Sequence, residues 1–349
     1  MILFHLSHTD LDGYSCQLIT KEYFKKGFYY NANYGIEVKL NIKKMLQDIE
    51  AYKDEEILFL ITDLNLTIQE SKDLNKSINK LNEDGFNIKL QLLDHHATGQ
   101  KSADDYEWYY LDTSRCAAKI TYAYVNETLN GFDEETKKWL EPLVFCINAI
   151  DIWVDIETDG FEFGKVLLSM VSRVREINNI LFPDLNRDFR LYLLKESAKF
   201  LNEENAHIKL DNEIHFMKKE FLKQDEHDDT IDNLSAKYLV KSLEDLKEKL
   251  TVTYKGHKGL LTYTLGSISI PANAFLVANE DYDFFIDISR KGNTSFRADG
   301  KVNVSLIAQE LADGGGHPNA SGCRFDDFKE TIDYDVVKSF MQRKLDSLA

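Results

Sequence analysis

Residues 56–63, EILFLITD, and residues 87–96, NIKLQLLDHH, decide how this 349-residue chain is organised. Both are short apolar-rich runs that stop at an acidic residue, Asp63 in the first and Asp94 in the second. EILFLIT has the unbroken apolar character of a strand buried on both faces. Working outward, MILFHL (1–6), FYYNAN (28–33) and EWYYLD (107–112) read as further strands. Helical patterns lie between and after them, over 14–26 with an end near Gly27, over 36–52, and over 67–83 with a stop at Gly85. Two more helices are expected over 114–129 and 134–150. Strands that alternate with helices imply a parallel sheet covered on both faces, an α/β domain.

The pattern changes twice more. Residues 153–255 are mostly helical in pattern, interrupted by KQDEHDDTIDN (223–233), too polar to pack and therefore an exposed loop. From 256 onward strands return in GLLTYTL (259–265), YDFFIDISR (282–290) and NTSFRAD (293–299), with a short helix over 271–279 after Pro271. VNVSLIAQELA (302–312) is an amphipathic helix with Asn303 as its N-cap, and it runs into GGGHPNASGCRF (314–325). A last helix is expected over 331–347. The expected domains are therefore 1–155, a parallel-sheet α/β domain; 156–255, a helical connector; and 256–349, a smaller α/β domain. The site is expected in the cleft between the first and the last.

Composition narrows the function. With 59 acidic against 42 basic residues the formal net charge is −17, which excludes the broad basic surface that tracking long nucleic acid requires. A nucleic-acid substrate would have to be short and held by a local positive site, which metal ions can supply. No apolar run approaches the ~20 residues needed to span a bilayer, so no membrane partner is expected. The opening MILFHLSHTDLDG lacks a basic segment and meets an acidic cluster within ten residues, unlike a secretory signal. The cysteines, Cys16, Cys116, Cys146 and Cys323, lie far apart and form no CxxC pair, as expected of a protein of the reducing cytoplasm.

Strand ends carry the chemistry. The first strand delivers His8, Asp10 and Asp12 in HTDLDG; EILFLIT delivers Asp63; NIKLQLL delivers Asp94, His95 and His96. In an open parallel sheet the ligand crevice lies at the carboxyl ends of the strands, so these side chains are expected at one edge. Asp151, at the end of the apolar helix segment LVFCINAI, could reach the same edge. Such a cluster is costly without compensation, and divalent cations relieve the cost. Asp10, Asp12, Asp63 and Asp151 carry four negative charges, which two divalent ions balance. Mixed imidazole and carboxylate donors favour manganese over calcium, with magnesium or cobalt as replacements. Two ions about 3.5–4 Å apart would activate water and clamp a phosphate for in-line displacement. Hydrolysis of a phosphate ester or anhydride is the reaction class that follows.

The glycine run Gly314, Gly315 and Gly316, followed by His317, permits backbone conformations that turn amides toward an anion. It equally suits a turn that closes the preceding helix. Arg297 is a candidate for a second phosphate, since a guanidinium forks phosphate with two bonds, and Arg115 is a candidate to reach the metal edge.

These residues together resemble the DHH phosphoesterases. HTDLDG, the Asp of LITDLN, the DHH triplet and the Asp of NAIDIW match the family's first four motifs in order, and GGGHPNASG resembles the signature of its DHH-associated C-terminal domain. The resemblance covers residues 1–155 and 256–349. It implies that His8, Asp10 and Asp63 hold one manganese, and that Asp12, bridging Asp63, His95 and Asp151 hold the other. It further implies that Asp94 orients a neighbouring histidine, that His96 faces the scissile phosphate, and that the GGGH loop binds substrate phosphate. Many members place the first histidine four residues before the first aspartate; Leu6 stands there, so His8 is taken as the match to the shorter variant of the oligoribonuclease branch, with His5 as the fallback. The activity implied is that of a nano-RNase B-like exonuclease of RNA degradation, releasing nucleoside monophosphates from short oligoribonucleotides and linear dinucleotides. Opening of cyclic mononucleotides is the close alternative. A manganese pyrophosphatase and a non-catalytic nucleotide-binding protein are further ones, and a homodimer is left open.

Overall fold

The computed structural model describes residues 1–331 and 333–348. The chain forms two compact units, one of Met1–Val174 with Arg187–Met217 and one of Arg175–Asn186 with Lys218–Ala349. Residues 156–255 are thus shared between the units.

The first unit is built as β1 (Ile2–Ser7), α1 (Leu11–Tyr23), β2 (Gly27–Asn31), α2 (Ile36–Ile49), β3 (Glu56–Thr62), α3 (Ile68–Glu83), β4 (Asn87–Asp94), α4 (Gln100–Asp105), β5 (Tyr109–Leu111), α5 (Ala117–Thr128), α6 (Glu134–Asp151) and α7 (Asp159–Ser172). Helices α8 (Pro183–Ser197) and α9 (Ala206–Leu222) each divide between the two units. The five strands lie in the order β2-β1-β3-β4-β5, and every neighbouring pair is parallel. One face of the sheet packs Phe4, Leu6, Phe59, Ile61 and Leu92 under α2 and α3; the other packs Leu3, Leu58, Leu60 and Leu93 against Ile120 of α5. Strands covered on both faces need apolar side chains in both alternating directions, which is why β1 and β3 read as continuous apolar runs.

Caps explain where the helices depart from expectation. Helix α1 begins at Leu11 because the Asp10 side chain accepts from the Gly13 amide, and it is over by Tyr23, so Gly27 opens β2. Helix α5 begins at Ala117, after the cap Cys116, whose sulfur accepts from the Lys119 amide; the Asp112 carboxylate accepts from the Ser114 amide and hydroxyl and holds the residues before the cap in a turn. A reciprocal box between Thr67 and Glu70 starts α3.

The second unit holds α10 (Ile231–Leu243), α11 (Lys247–Leu250), β6 (Thr251–Tyr254), β7 (His257–Tyr263), α12 (Ser269–Ala278), β8 (Phe284–Ile288), β9 (Asn293–Ala298), α13 (Val304–Ala312), β10 (Gly315–His317), β11 (Ala320–Arg324) and α14 (Tyr334–Asp346). Its six strands run β10-β11-β9-β8-β7-β6, antiparallel except for β7 and β8, which α12 connects as a parallel pair. Asn303 caps α13 as its sequence suggests, accepting from the Ser305 and Leu306 amides. Thr230 starts α10, which leaves the polar stretch before it between helices. Of the last expected helix, 331–347, residue 332 lies outside the described residues; the helix itself starts after the cap Asp333.

Candidate metal centre

Parallel strands bring the acidic and histidine side chains to one edge. His8, Asp10 and Asp12 follow β1, Asp63 follows β3, Asp94 ends β4 with His95 and His96 behind it, and Asp151 ends α6. His8 Nδ1 lies 2.8 Å from Asp10 Oδ2 and 3.7 Å from Asp63 Oδ2. His95 Nε2 lies 3.2 Å from Asp63 Oδ1, 3.7 Å from Asp12 Oδ2 and 3.8 Å from Asp151 Oδ2. The donor atoms of His8, Asp10 and Asp63 fall within 4.8 Å of one another, and so do those of Asp12, His95 and Asp151. Asp63 stands between the two groups, one oxygen toward each. A third grouping, Asp63 with His95 and His96, meets the same limit. Asp63 adopts φ 57°, a left-handed conformation uncommon for a non-glycine residue, and its amide donates to the Leu93 carbonyl at 3.1 Å.

The electrostatics suit a cation. Asp12 and Asp63 are buried, and Oδ2 of both Asp63 and Asp151 is buried with no hydrogen-bond partner. Burial, followed by the charges of neighbouring acids, pushes Asp12 and Asp63 well above the carboxylate range, and burial raises Asp151 as well. Burial opposes protonation of His8, but its hydrogen bond to Asp10 and the nearby Asp63 carboxylate outweigh that and lift it to about 10; the same His8 pairing outweighs burial at Asp10 and brings it to about 2. Part of the relief is local, because the Asp12 carboxylate accepts from the Ala117 and Ala118 amides at 2.7 and 2.8 Å, at the positive end of α5. Orphaned carboxylate oxygens beside imidazole nitrogens form a donor set that fits divalent metal ions.

A 3′,5′-cyclic-nucleotide phosphodiesterase of Helicobacter pylori is 42% identical over 338 residues, which cover 97% of each chain. The chain belongs to the DHH phosphoesterase superfamily. It is accordingly a hydrolase of phosphoric ester bonds. Oligoribonuclease NrnB of Bacillus subtilis is 25% identical over 356 residues, covering 97% of this chain and 76% of that one. The crystal structure of an uncharacterized protein from Helicobacter pylori G27 superimposes with a TM-score of 0.93 at 42% identity, over 99% of both chains. No family model matches.

Around the DHH triplet a second set of side chains fixes the donors. Asp94 is buried, with Oδ1 2.7 Å from His96 Nδ1 and Oδ2 accepting from the Tyr109 hydroxyl at 3.0 Å. Asp94 therefore orients His96, not His95. Its hydrogen bond, opposed by burial, raises the pKa of His96. Asn148, one turn before Asp151 on α6, accepts from the Cys116 amide at 3.0 Å and so helps anchor the same end of α5 that holds Asp12. The glycine of HTDLDG is required by a close approach: a Cβ on Gly13 would lie 2.4 Å from the His8 carbonyl oxygen. His5 is buried, with Nδ1 2.9 Å from the Thr20 hydroxyl and Nε2 2.8 Å from that of Thr62. Both ring nitrogens are thus occupied, and burial, with the Arg187 charge, lowers it to about 3. Only His8 of the two joins the cluster.

Tyr109 escapes a reading of motifs, whereas Gly13 closes HTDLDG and Asn148 opens NAIDIW without either motif stating what the residue does. Of the other candidates, Arg115 pairs with Asp112 at 2.7 Å and donates to the Tyr110 hydroxyl at 3.0 Å. In the second unit Arg297 donates to the Phe296 carbonyl and the Ser269 hydroxyl. Gly315, Gly316 and His317 are exposed and form β10, paired with β11. Gly316 has φ 148°, and a Cβ there would meet the Ala320 carbonyl at 2.4 Å; Gly314 is equally tight against Gly322. Among the described residues no helix is long and apolar enough to cross a membrane.

Proposed function

We propose that this phosphodiesterase hydrolyses small nucleotides in the cytoplasm, with 3′,5′-cyclic mononucleotides as its first substrates and manganese as its metal. The observation that carries the choice is 42% identity, across 97% of both chains, to a relative named for cyclic nucleotides. This puts cyclic substrates ahead of short oligoribonucleotides, reversing the order expected from motifs. Short oligoribonucleotides stay as the second reading, favoured by the 25% identity to the NrnB oligoribonuclease. The net charge of −17 favours either over long nucleic acid.

In this proposal His8, Asp10 and Asp63 hold one ion, while Asp12, Asp63, His95 and Asp151 hold the other. Bound divalent ions supply charge neutralisation at the phosphate and activation of water. His96 faces the phosphate, and Asp94 holds the ring at its Nδ1. A water oxygen bonds to phosphorus, one phosphorus–oxygen ester bond breaks, and the departing oxygen takes a proton. Residues 1–155 carry this chemistry, and residues 256–349 bind the substrate through Gly314, Gly315, Gly316, His317 and Arg297. Arg115 keeps only a supporting place, since its charge is already paired with Asp112.

Purified protein with manganese, offered 3′,5′-cyclic AMP, 3′,5′-cyclic GMP, a two-nucleotide RNA and pyrophosphate, tests the proposal. Release of nucleoside monophosphate from the cyclic substrates is expected. Turnover of the RNA alone would move the assignment to the oligoribonuclease reading, turnover of pyrophosphate alone would overturn both, and activity that survives exhaustive chelation would remove the metals.

A further inference from the structure

One aromatic residue outside every DHH motif touches two members of the site. Tyr34 lies in the loop after β2, where Gly35 at φ 90° makes the turn into α2, the Thr9 hydroxyl donates to the Asn33 side chain, and the Asn33 amide donates to Glu37. The residue is 45% exposed, yet its ring centroid lies 5.1 Å from that of His8 and 5.9 Å from that of His96, edge-on to the latter at 83°. Its hydroxyl sits 3.3 Å from His96 Nε2 and 3.4 Å from Nδ1. Nδ1 is committed to Asp94 at 2.7 Å, which leaves Nε2 as the nitrogen that Tyr34 can engage.

An imidazole held at one nitrogen can still rock about its Cβ–Cγ bond. The Tyr34 hydroxyl, nearly equidistant from the two nitrogens, sits against the ring between them and stands in the way of that motion. The separation is long for a hydroxyl bond, as contacts to catalytic groups often are before substrate binds. We propose that Tyr34 is a positioning residue for His96, clamping it from the open side while Asp94 clamps it from the buried side. This role rests on His96 facing the phosphate, as proposed above. A ring already packed on His8 makes the clamp rigid, since the Tyr34 side chain then has little freedom to swing away.

Tyr34→Phe keeps the ring and removes the hydroxyl. In the manganese-loaded enzyme acting on 3′,5′-cyclic AMP and the two-nucleotide RNA, it is expected to lower kcat about tenfold with KM within about twofold. Added to His96→Ala, the same change is expected to cost less than about twofold, because the group it acts through has gone. Two further readouts do not depend on turnover: manganese uptake and melting temperature are expected to stay as in the parent. In the metal-free protein with 15N-labelled histidine, at fixed pH, the His96 Nε2 resonance is expected to move on Tyr34→Phe while those of His5 and His95 stay. Unchanged turnover in Tyr34→Phe, or the same tenfold loss in the His96→Ala background, would overturn the role. If neither substrate is turned over, or His96→Ala is as active as the parent, the fault lies in the proposed function. The nitrogen spectrum then decides on Tyr34 alone, and an unmoved His96 signal ends the proposal.

Discussion

Each unit buries a carboxyl group at the end of a strand, and the two are treated in opposite ways. Asp287, on β8 of the six-stranded sheet, accepts from the Thr262 hydroxyl at 2.8 Å and from the Leu265 and Gly266 amides at 2.9 and 3.3 Å. Asp63, after β3 of the five-stranded sheet, has a buried oxygen with no hydrogen-bond donor and other carboxylates beside it. The first acid is satisfied by its own loop and holds that loop in place. The second is left unsatisfied by the chain, in a donor set that could hold a cation. Burial alone therefore does not distinguish a ligand from a structural acid; the donors around it do. The sheets explain why. Five parallel strands send all their carboxyl ends to one edge, so acids far apart in sequence meet there, whereas antiparallel neighbours scatter their ends over two edges.

The largest effect is expected from Asp63→Asn. The amide keeps the shape and tolerates the left-handed backbone at φ 57° better than alanine would. Turnover is expected to fall by about a thousandfold or more, as one group of donors loses its Asp63 oxygen and both lose its charge. Metal uptake should fall with it, while the metal-free variant melts no lower than the parent, because a repelling buried charge has been removed. A variant with near-parental turnover would take Asp63 out of the site and erase the contrast with Asp287.

Acid should sharpen the same contrast. Asp287 is raised to about 6 by burial, against which its three hydrogen bonds act. Its folded pKa lies above the unfolded value, so the ionised form destabilises the fold and stability is gained as pH falls from 7 through 6 toward 4. The raised acids Asp12, Asp63 and Asp151 act in the same direction in the metal-free protein. His8, raised to about 10, adds stability that is fully present only below the ordinary histidine range, and Asp10, lowered to about 2, stays ionised throughout. His5, lowered to about 3, opposes them, because the unfolded chain protonates it as pH falls through 6.5 and the folded one does not. The raised carboxyls and His8 together outweigh this single group, so the metal-free protein is expected to melt higher at pH 5 than at pH 7. Asp287 alone corresponds to about 3 kcal/mol over its window, so Asp287→Asn should flatten part of the rise without altering metal uptake. Urea unfolding at the two pH values checks this, and equal stability at both would contradict it.

Much of the first unit was legible because its signals are local. An apolar run followed by Asp63, and another followed by Asp94, His95 and His96, state both the strand and where its end lies. Only the parallel order had to be added for the side chains to meet. What escaped was set by geometry between segments. Tyr34 and Tyr109 reach the site from a loop and an edge strand, with no spacing that announces it. Strands β10 and β11 were read as a glycine loop because glycine is a poor strand former, and it is the ladder to β9 that holds them extended. The short β6 escaped too, since TVTY offers four residues and little core. Motif spacing favours His8 over His5, and the hydroxyls of Thr20 and Thr62, which occupy both nitrogens of His5, remove the fallback.

The smallest predicted effect tests the glycine segment of the second unit. His317 stands exposed at the end of β10, opposite Ala320, and bears no pairing duty that its backbone does not already perform. Replacing it with alanine should therefore leave melting and manganese uptake as they are. If the segment binds the substrate phosphate, KM is expected to rise about tenfold, the worth of one charge-assisted hydrogen bond, with kcat nearly unchanged. Gly316→Ala is the contrasting control, since its Cβ would collide with the Ala320 carbonyl at 2.4 Å and distort the hairpin itself. A histidine variant with lost metal and unchanged KM would mean that the residue serves the metal centre, and the division of labour between a chemical sheet and a binding sheet would fail.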